Sequence, residues 1–293
     1  MDSRDLEIFL AVARHLNFTR AGEELHLSQP SVSVRIRLLQ EELGVKLFEQ
    51  LGKKTCLTEA GLILERNAQR IVAAFADTRL AMQELKGLER GSLRIGASTT
   101  PGIYLVPGIV AAFKRQYPKI DVYVAIKDTR RVEDLIVKNE FDFGFVGGHL
   151  IGSEIEVIPW RIDELALVVP RNHRFAARKK VRPKDLVNER FIFREQGSAT
   201  QALVETNLRA WDLHLKAVME TDNPGAVKKA VQAGLGVAFL SRFAIGTELR
   251  AKLLVAVEVE GLNARRELRI IHRKDKHLTR AAQAFIKTCA LKQ

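Results

Sequence analysis

Residues 26–44, HLSQPSVSVRIRLLQEELG, constrain the fold of this chain more than any other stretch. Val32, Ile36, Leu39 and Leu43 recur at the spacing of one helix face, so they predict a buried stripe. Ser28 is placed to cap the first turn. Pro30 falls within that turn, where a missing N–H costs little, and Gly44 supplies the stop. The other face carries Pro30, Ser33, Val34 and Arg37, flanked by Ser31 and Arg35. An ordinary solvated helix face would favour Glu and Lys. This one is small and polar near its start and basic further along.

The flanks turn this helix into a module. Leu6, Phe9, Leu10 and Ala13 repeat with helical period up to about His15. Thr19 is placed to cap a second short helix, Arg20 to Leu25, and the link His26–Gln29 leads into the third. Two short helices joined this tightly make a helix-turn-helix. After Gly44, Lys46-Leu47-Phe48 and Thr55-Cys56-Leu57 read as two short strands turning at Gly52-Lys53-Lys54, a wing. A generic three-helix packing module with a merely solvated polar face is the bland alternative.

Thr58 to Leu85 contains no proline. Leu64, Ile71, Thr78 and Leu85 are spaced by sevens, and so are Ala68, Phe75 and Met82, offset by four. That a/d pattern predicts a helix of about 40 Å that pairs with another helix. Leu64, Ile71, Phe75 and Met82 are the candidate dimerisation residues. From Leu93 the pattern changes to strands alternating with helices. Candidate strands are Leu93–Ala97, Ile120–Ile126, Phe141–Val146, Leu165–Val169, Phe191–Phe193, Ala217–Glu220, Val237–Leu240 and Leu268–His272. Helices fall between them at Val106–Gln116, Val132–Lys138 and Gly225–Ala233. The alternation predicts α/β layers, and about 200 residues suffice for two lobes.

Charge adds less than its total suggests. The net charge of +12 invites a nucleic-acid partner. Yet residues 1–58 hold eight basic and eight acidic side chains, so the excess lies beyond residue 92. The local arrangement is the argument: Arg35 and Arg37 lie on the third helix, and Lys46, Lys53 and Lys54 follow it. Cys56 and Cys289 have no metal-ligand spacing. His272 and His277 with Asp275 do not form a zinc pattern either, so no metal or cofactor is expected. The segment MDSRDLEIF lacks a signal-peptide layout, and no apolar run reaches the roughly 18 residues that span a bilayer. A cytoplasmic protein without membrane contact is the expectation. No Gly-x-Ser-x-Gly, P-loop or Cys-x-x-Cys is present, which argues against an enzyme.

These residues resemble a known family. Phe18-Thr19-Arg20-Ala21, Leu27-Ser28-Gln29-Pro30-Ser31-Val32-Ser33, Glu42-Leu43-Gly44, Leu47-Phe48 and Leu57-Thr58-Glu59-Ala60-Gly61 are similar to the LysR-type transcriptional regulators. The similarity is dense over about 60 residues and continues more loosely to Gly234–Ser241. Gly197–Thr200 and His272–Leu278 look most like the branch sensing small anions in sulfur or carbon assimilation. The resemblance implies a winged helix-turn-helix at 1–58 and a linker helix at 59–88. It implies an α/β sensor at 89–293 like a type II periplasmic solute-binding protein, with one lobe at about 89–161 and 267–293 and another at about 162–266. Promoter DNA, a second copy, a tetramer built from two dimers, and RNA polymerase are the implied partners. A periplasmic solute carrier would lack the helix-turn-helix head.

Under that resemblance, the opening helix enters the major groove, where small side chains permit close approach. Gln29 can pair with an adenine edge, Arg35 or Arg37 with guanine or phosphate, and Pro30 or Val34 with a thymine methyl. Thr19, Ser31, Ser33, Lys53 and Lys54 complete the candidate DNA contacts. The chain departs from the family at Gly22, where alanine is common and a weaker second helix is expected. It also departs at Arg35, often glutamine, and at Gln50, commonly arginine.

The implied effector lies between the lobes. Ser98, Thr99 and Thr100 follow a strand and precede a helix, and Ser198 and Thr200 are placed similarly. Hydroxyls and free N–H groups at helix starts suit an anion. Thr129, Gly147 with Gly148, and Asn223 at other strand ends can close the cleft. Sulfite, sulfate or a small carboxylate fits this chemistry. Each hydroxyl is equally suited to being a plain cap or turn residue.

Overall fold

A computed structural model describes residues 1–52, 54–84, 91–148 and 152–290. The chain divides into two compact units, Met1–Leu88 and Glu89–Gln293.

The first unit opens with α1 (Ser3–His15), α2 (Phe18–Leu25) and α3 (Gln29–Leu43). Each start is fixed by a side chain that accepts an N–H the helix cannot satisfy itself. Asp2 caps α1 with a reciprocal bond to Asp5, Asn17 caps α2 through the N–H groups of Thr19 and Arg20, and Ser28 caps α3. The cap of α2 is therefore Asn17 rather than Thr19, because the asparagine amide reaches two donors from outside the first turn. Gly44 ends α3 in the left-handed conformation with φ 68°.

Val32, Ile36 and Leu39 are buried against Leu6, Phe9 and Val12 of α1. Leu43 is 37% exposed, so the stripe stops one turn earlier than its spacing predicts. The wing is β1 (Phe48–Leu51) and β2 (Lys54–Leu57), paired antiparallel from Phe48↔Leu57 to Leu51↔Lys54. The strands run to Leu51 and begin again at Lys54. Lys54 therefore sits on a strand rather than in the turn. Lys53 lies outside the described residues.

Gly22 has a stricter role than a weak helix former. A Cβ there would lie 2.6 Å from the carbonyl oxygen of Leu27, in the link to α3. The glycine lets the two helices meet at this turn. Gly22→Ala is therefore expected to lower the melting temperature of the protein, despite alanine's gain of about 1 kcal/mol in helix propensity. Calorimetry on the two proteins checks the sign.

Helix α4 (Glu59–Glu84) follows. Leu64, Ala68 and Val72 pack into the core of the head, and Ala68 is fully buried. Leu64 is half-buried, so the head already covers part of this side chain. Ile71, Phe75 and Met82 are 38%, 53% and 57% exposed. Leu85 lies outside the described residues.

The second unit runs through β3 (Gly91–Ser98), α5 (Thr99–Tyr104), α6 (Val106–Gln116), β4 (Ile120–Lys127), α7 (Thr129–Val137), β5 (Phe143–Gly147) and β6 (Ile155–Pro170). It continues through β7 (Lys180–Val181), β8 (Arg190–Arg194), α8 (Ala199–Ala210), β9 (Lys216–Thr221), α9 (Pro224–Gln232) and β10 (Ala238–Ser241). It closes with α10 (Arg242–Arg250), β11 (Leu254–Val259), β12 (Arg265–Arg273) and α11 (Arg280–Ala290). Strands β3, β4 and β5 are parallel, as α/β alternation requires, and β12 joins β5 antiparallel. A packed cluster of Phe113, Phe143, Phe145, Trp160 and Phe285 fills this first lobe.

Strand β6 is far longer than the strand Leu165–Val169 that sequence patterning predicts. Its first part, Ile155–Glu164, pairs with β12, with a register shift that leaves out Trp160. Leu165 to Pro170 then pair with β10 and β11 of the second lobe. One strand thus crosses from lobe to lobe, and β12 returns beside it. The second lobe is filled by Leu167, Phe175, Phe191, Val204 and Phe239 on one side of its sheet and by Val168, Ile192, Val227, Leu240 and Ile245 on the other.

Candidate functional site

The head presents the residues expected of a groove-reading helix. Gln29, Pro30, Ser31, Val34, Arg35 and Arg37 are exposed on α3, and Ser33 is half-buried. Gln29 explains that partial burial, because its Nε2 donates to Ser33 Oγ at 2.8 Å. This bond holds the glutamine against the helix with its carbonyl oxygen and a second N–H still to offer. Ser31 is tied to the cap, Oγ to Oγ with Ser28 at 2.8 Å. Thr19 is exposed on α2 and Lys54 on the wing.

Arg35 is drawn back towards α1, with Nη1 on Asp5 Oδ1 at 3.0 Å. Arg37 is two-thirds exposed and only 3.8 Å-paired to Glu41, an arrangement worth little in water. Arg37 is accordingly the helix's available cation. Arg37→Ala and Lys54→Ala are expected to weaken binding to all DNA sequences alike. Each should reduce the slope of log affinity against log salt by about 0.9. Titrations at several salt concentrations read both effects.

In the second unit, Ser98, Thr99, Thr100, Thr129, Ser198 and Thr200 line one narrow cleft between the lobes. Ser98, Thr100, Thr129, Ser198 and Thr200 are all buried. Three helix starts meet there: α5 behind Ser98, α7 behind Asp128 and α8 behind Ser198. Ser98 makes no cap bond with its side chain. Ser198 accepts the Gln201 N–H at a long 3.5 Å. The Thr129 hydroxyl donates to the carbonyl of Gly147 at 3.0 Å, so Gly147 positions Thr129 rather than lining the cleft. Asn223 caps α9 and lines an adjoining pocket at the mouth, shared by Thr99, Asp128 and Glu195. Gly148, at φ 103°, lets the first lobe come close to α8: a Cβ there would sit 2.8 Å from Ala199 Cβ.

Sequence patterning missed the charged side chains of this cleft. Arg194 is buried and holds Glu195 through two bonds of 2.7 and 2.9 Å. Arg266 lines the cleft from β12 and reaches Thr100 Oγ1 at 3.2 Å. Its own partner is Asp163, fully buried on β6. No cysteine lines the cleft; burial pushes the Cys289 thiol elsewhere up to about 12. Among the described residues no group of His, Cys, Asp and Glu is placed to hold a metal ion. His272 Nδ1 is engaged with the carbonyl of Arg273 at 2.9 Å. No helix among the described residues is long and apolar enough to cross a membrane.

Residues 3–62 match the bacterial regulatory helix-turn-helix protein family, lysR, and residues 86–292 match the LysR substrate binding domain. The chain belongs to the LysR family of transcriptional regulators. It is a DNA-binding regulator with an effector-binding domain, and not an enzyme. Among its LysR relatives, a probable RuBisCO transcriptional regulator of Cyanidioschyzon merolae is 36% identical over 96% of this chain and 94% of its own length. The RuBisCO operon transcriptional regulator of Allochromatium vinosum is 34% identical over 96% and 93%. Full-length OxyR from Pseudomonas aeruginosa shares the fold with a TM-score of 0.79 at 22% identity, covering 99% of this chain and 95% of that one. The regulatory domain of Synechocystis CcmR in complex with 2-PG aligns over 69% of this chain and 97% of its own, with a TM-score of 0.65 at 23% identity.

Proposed function

We propose that this LysR regulator controls promoters of the RuBisCO-operon kind named for its relatives, in the cytoplasm, in response to a small anion held between its lobes. The observation that carries the effector reading is the cleft itself. Five buried hydroxyl side chains and three helix starts face one narrow cleft. Helix starts present N–H donors and a positive dipole end. The formal charges are two arginines against Asp128, Glu195 and Asp163. Bulk positive charge is therefore not the attraction. Selection falls to directed hydrogen bonds, which favour a compact oxyanion such as sulfate, sulfite, 2-PG or a small carboxylate over a large apolar ligand.

Recognition of the operator falls to Gln29, Ser31, Ser33 and Val34, with Arg37 and the wing lysines on phosphates. The exposed Ile71, Phe75 and Met82 of α4 pair with a second copy, and pairing through the sensor units yields a tetramer that engages RNA polymerase. The anion's greater affinity for one arrangement of the lobes biases how the heads are presented.

Thr100→Val and Ser198→Ala are each expected to weaken anion binding by about tenfold or more, since a hydrogen bond to a charged oxygen is worth about 1.5–3 kcal/mol. DNA affinity without effector should stay at the wild-type value. Thermal-shift screening with sulfate, 2-PG and short carboxylates, then titration calorimetry on both variants, tests this. Wild-type binding by both variants would place the effector elsewhere and leave these hydroxyls as caps.

A further inference from the structure

Arg266 and Asp163 form a buried pair where β12 and β6 cross between the lobes. The side chains are 8% and 0% exposed. Arg266 Nε and Nη2 both donate to Asp163 Oδ2, at 2.9 and 2.7 Å. The same Nη2 donates to Thr100 Oγ1 in the cleft at 3.2 Å. The other carboxylate oxygen, Oδ1, accepts the Ser241 hydroxyl at 2.6 Å. Ser241 Oγ in turn accepts the Phe243 N–H at 3.1 Å, capping α10. One polar chain therefore runs from a cleft hydroxyl in the first lobe to a helix start in the second.

The chemistry of this chain is that of an occupied anion site. Asp163 offers Arg266 what an effector's carboxylate, sulfate or phosphate oxygen would offer. It keeps the buried guanidinium balanced, and a buried cation without a partner is costly. Arg266 Nη1 takes no part in these bonds, so the guanidinium keeps donor capacity for a further oxygen.

We infer that Asp163 is a built-in counter-ion with which an anionic effector shares Arg266, and that Ser241 passes the change to α10. The inference rests on the anionic reading of the cleft. An anion on Thr100 and Arg266 divides the positive charge that faces Asp163. The carboxylate then leans harder on the Ser241 hydroxyl, and that hydroxyl is the cap of α10. Hydrogen bonds linked in series polarise one another where the dielectric is low.

Titration calorimetry on the full-length protein with sulfate and 2-PG as probes, joined to hydrogen exchange of α10, tests the inference. Asp163→Asn leaves Arg266 uncompensated and is expected to bind sulfate about tenfold tighter than wild type. The double variant Asp163→Asn/Arg266→Gln exchanges the ion pair for two amides of similar size. It is expected to fold and to bind both probes about tenfold more weakly. Ser241→Ala keeps the ion pair, so it should bind within about threefold of wild type while losing the anion-dependent change in α10 exchange. If Asp163→Asn does not fold, the other two proteins decide.

Wild-type affinity in the double variant, or an intact α10 response in Ser241→Ala, overturns the inference. Should that happen while Thr100→Val still weakens anion binding, the cleft reading stands and only the counter-ion role is lost. If wild type binds neither probe, both readings fall together.

Discussion

Ser33→Tyr is expected to reduce affinity for the operator by about a thousandfold, towards the level of non-specific DNA, while the fold and its melting temperature stay unchanged. Two effects combine. The ring would stand on the face of α3 that also carries Gln29, holding the helix start away from the base edges. It would also remove the 2.8 Å bond that sets the Gln29 amide. A well-placed amide-to-adenine pair is worth about 1–3 kcal/mol of discrimination. Tyrosine costs the helix only a few tenths of a kcal/mol beyond serine. Binding to operator and to scrambled DNA, measured at one salt concentration beside circular dichroism, separates the two states. Undiminished operator affinity would remove α3 from the groove.

Phe75→Asp is expected to halve the particle mass in light scattering, from four copies to two or from two to one, each copy being 32.9 kDa. Phe75 is 53% exposed on a helix whose neighbouring turns expose Ile71 and Met82. Three large apolar side chains on one exposed face gain by meeting the same face of a second copy. A carboxylate placed there loses water without gaining a counter-charge, at a cost of about 3–5 kcal/mol. DNA binding should weaken with assembly, because a head alone reads one half-site. A variant that keeps the wild-type mass would show that the copies pair through another surface.

The head was legible in the sequence because its signals are local. Ser28, Gly44 and the Val32–Ile36–Leu39 spacing act within a few residues of themselves, and the structure has α3 between those two ends. The errors came where a distant element decided the outcome. Leu64 fits a seven-residue seam, yet it also packs on the core of the head, a contact its spacing does not show. Gly22 looked like a weak spot until the Leu27 carbonyl stood beside it. The hydroxyls of the cleft could be found because strand ends followed by Ser or Thr mark helix starts. The arginine behind them could not. Arg265-Arg266-Glu267 reads as a solvated strand end, and its partner Asp163 lies 103 residues away. Only the crossing of β6 and β12 joins them.

That crossing also bears on how such a sensor can be rebuilt. Glu164 and Arg265, where the chain leaves the first lobe and comes back, are partners in one ladder. The hundred residues between them therefore begin and end side by side, like a cassette held at a single seam. Such a segment can be exchanged for the matching one of a relative without stretching the chain. The exchange would transplant Arg194, Ser198 and Thr200 together with their supporting sheet, and leave Thr100, Thr129 and the connection to the DNA-binding head in place. Ligand choice can then drift, or be engineered, through half a cleft at a time.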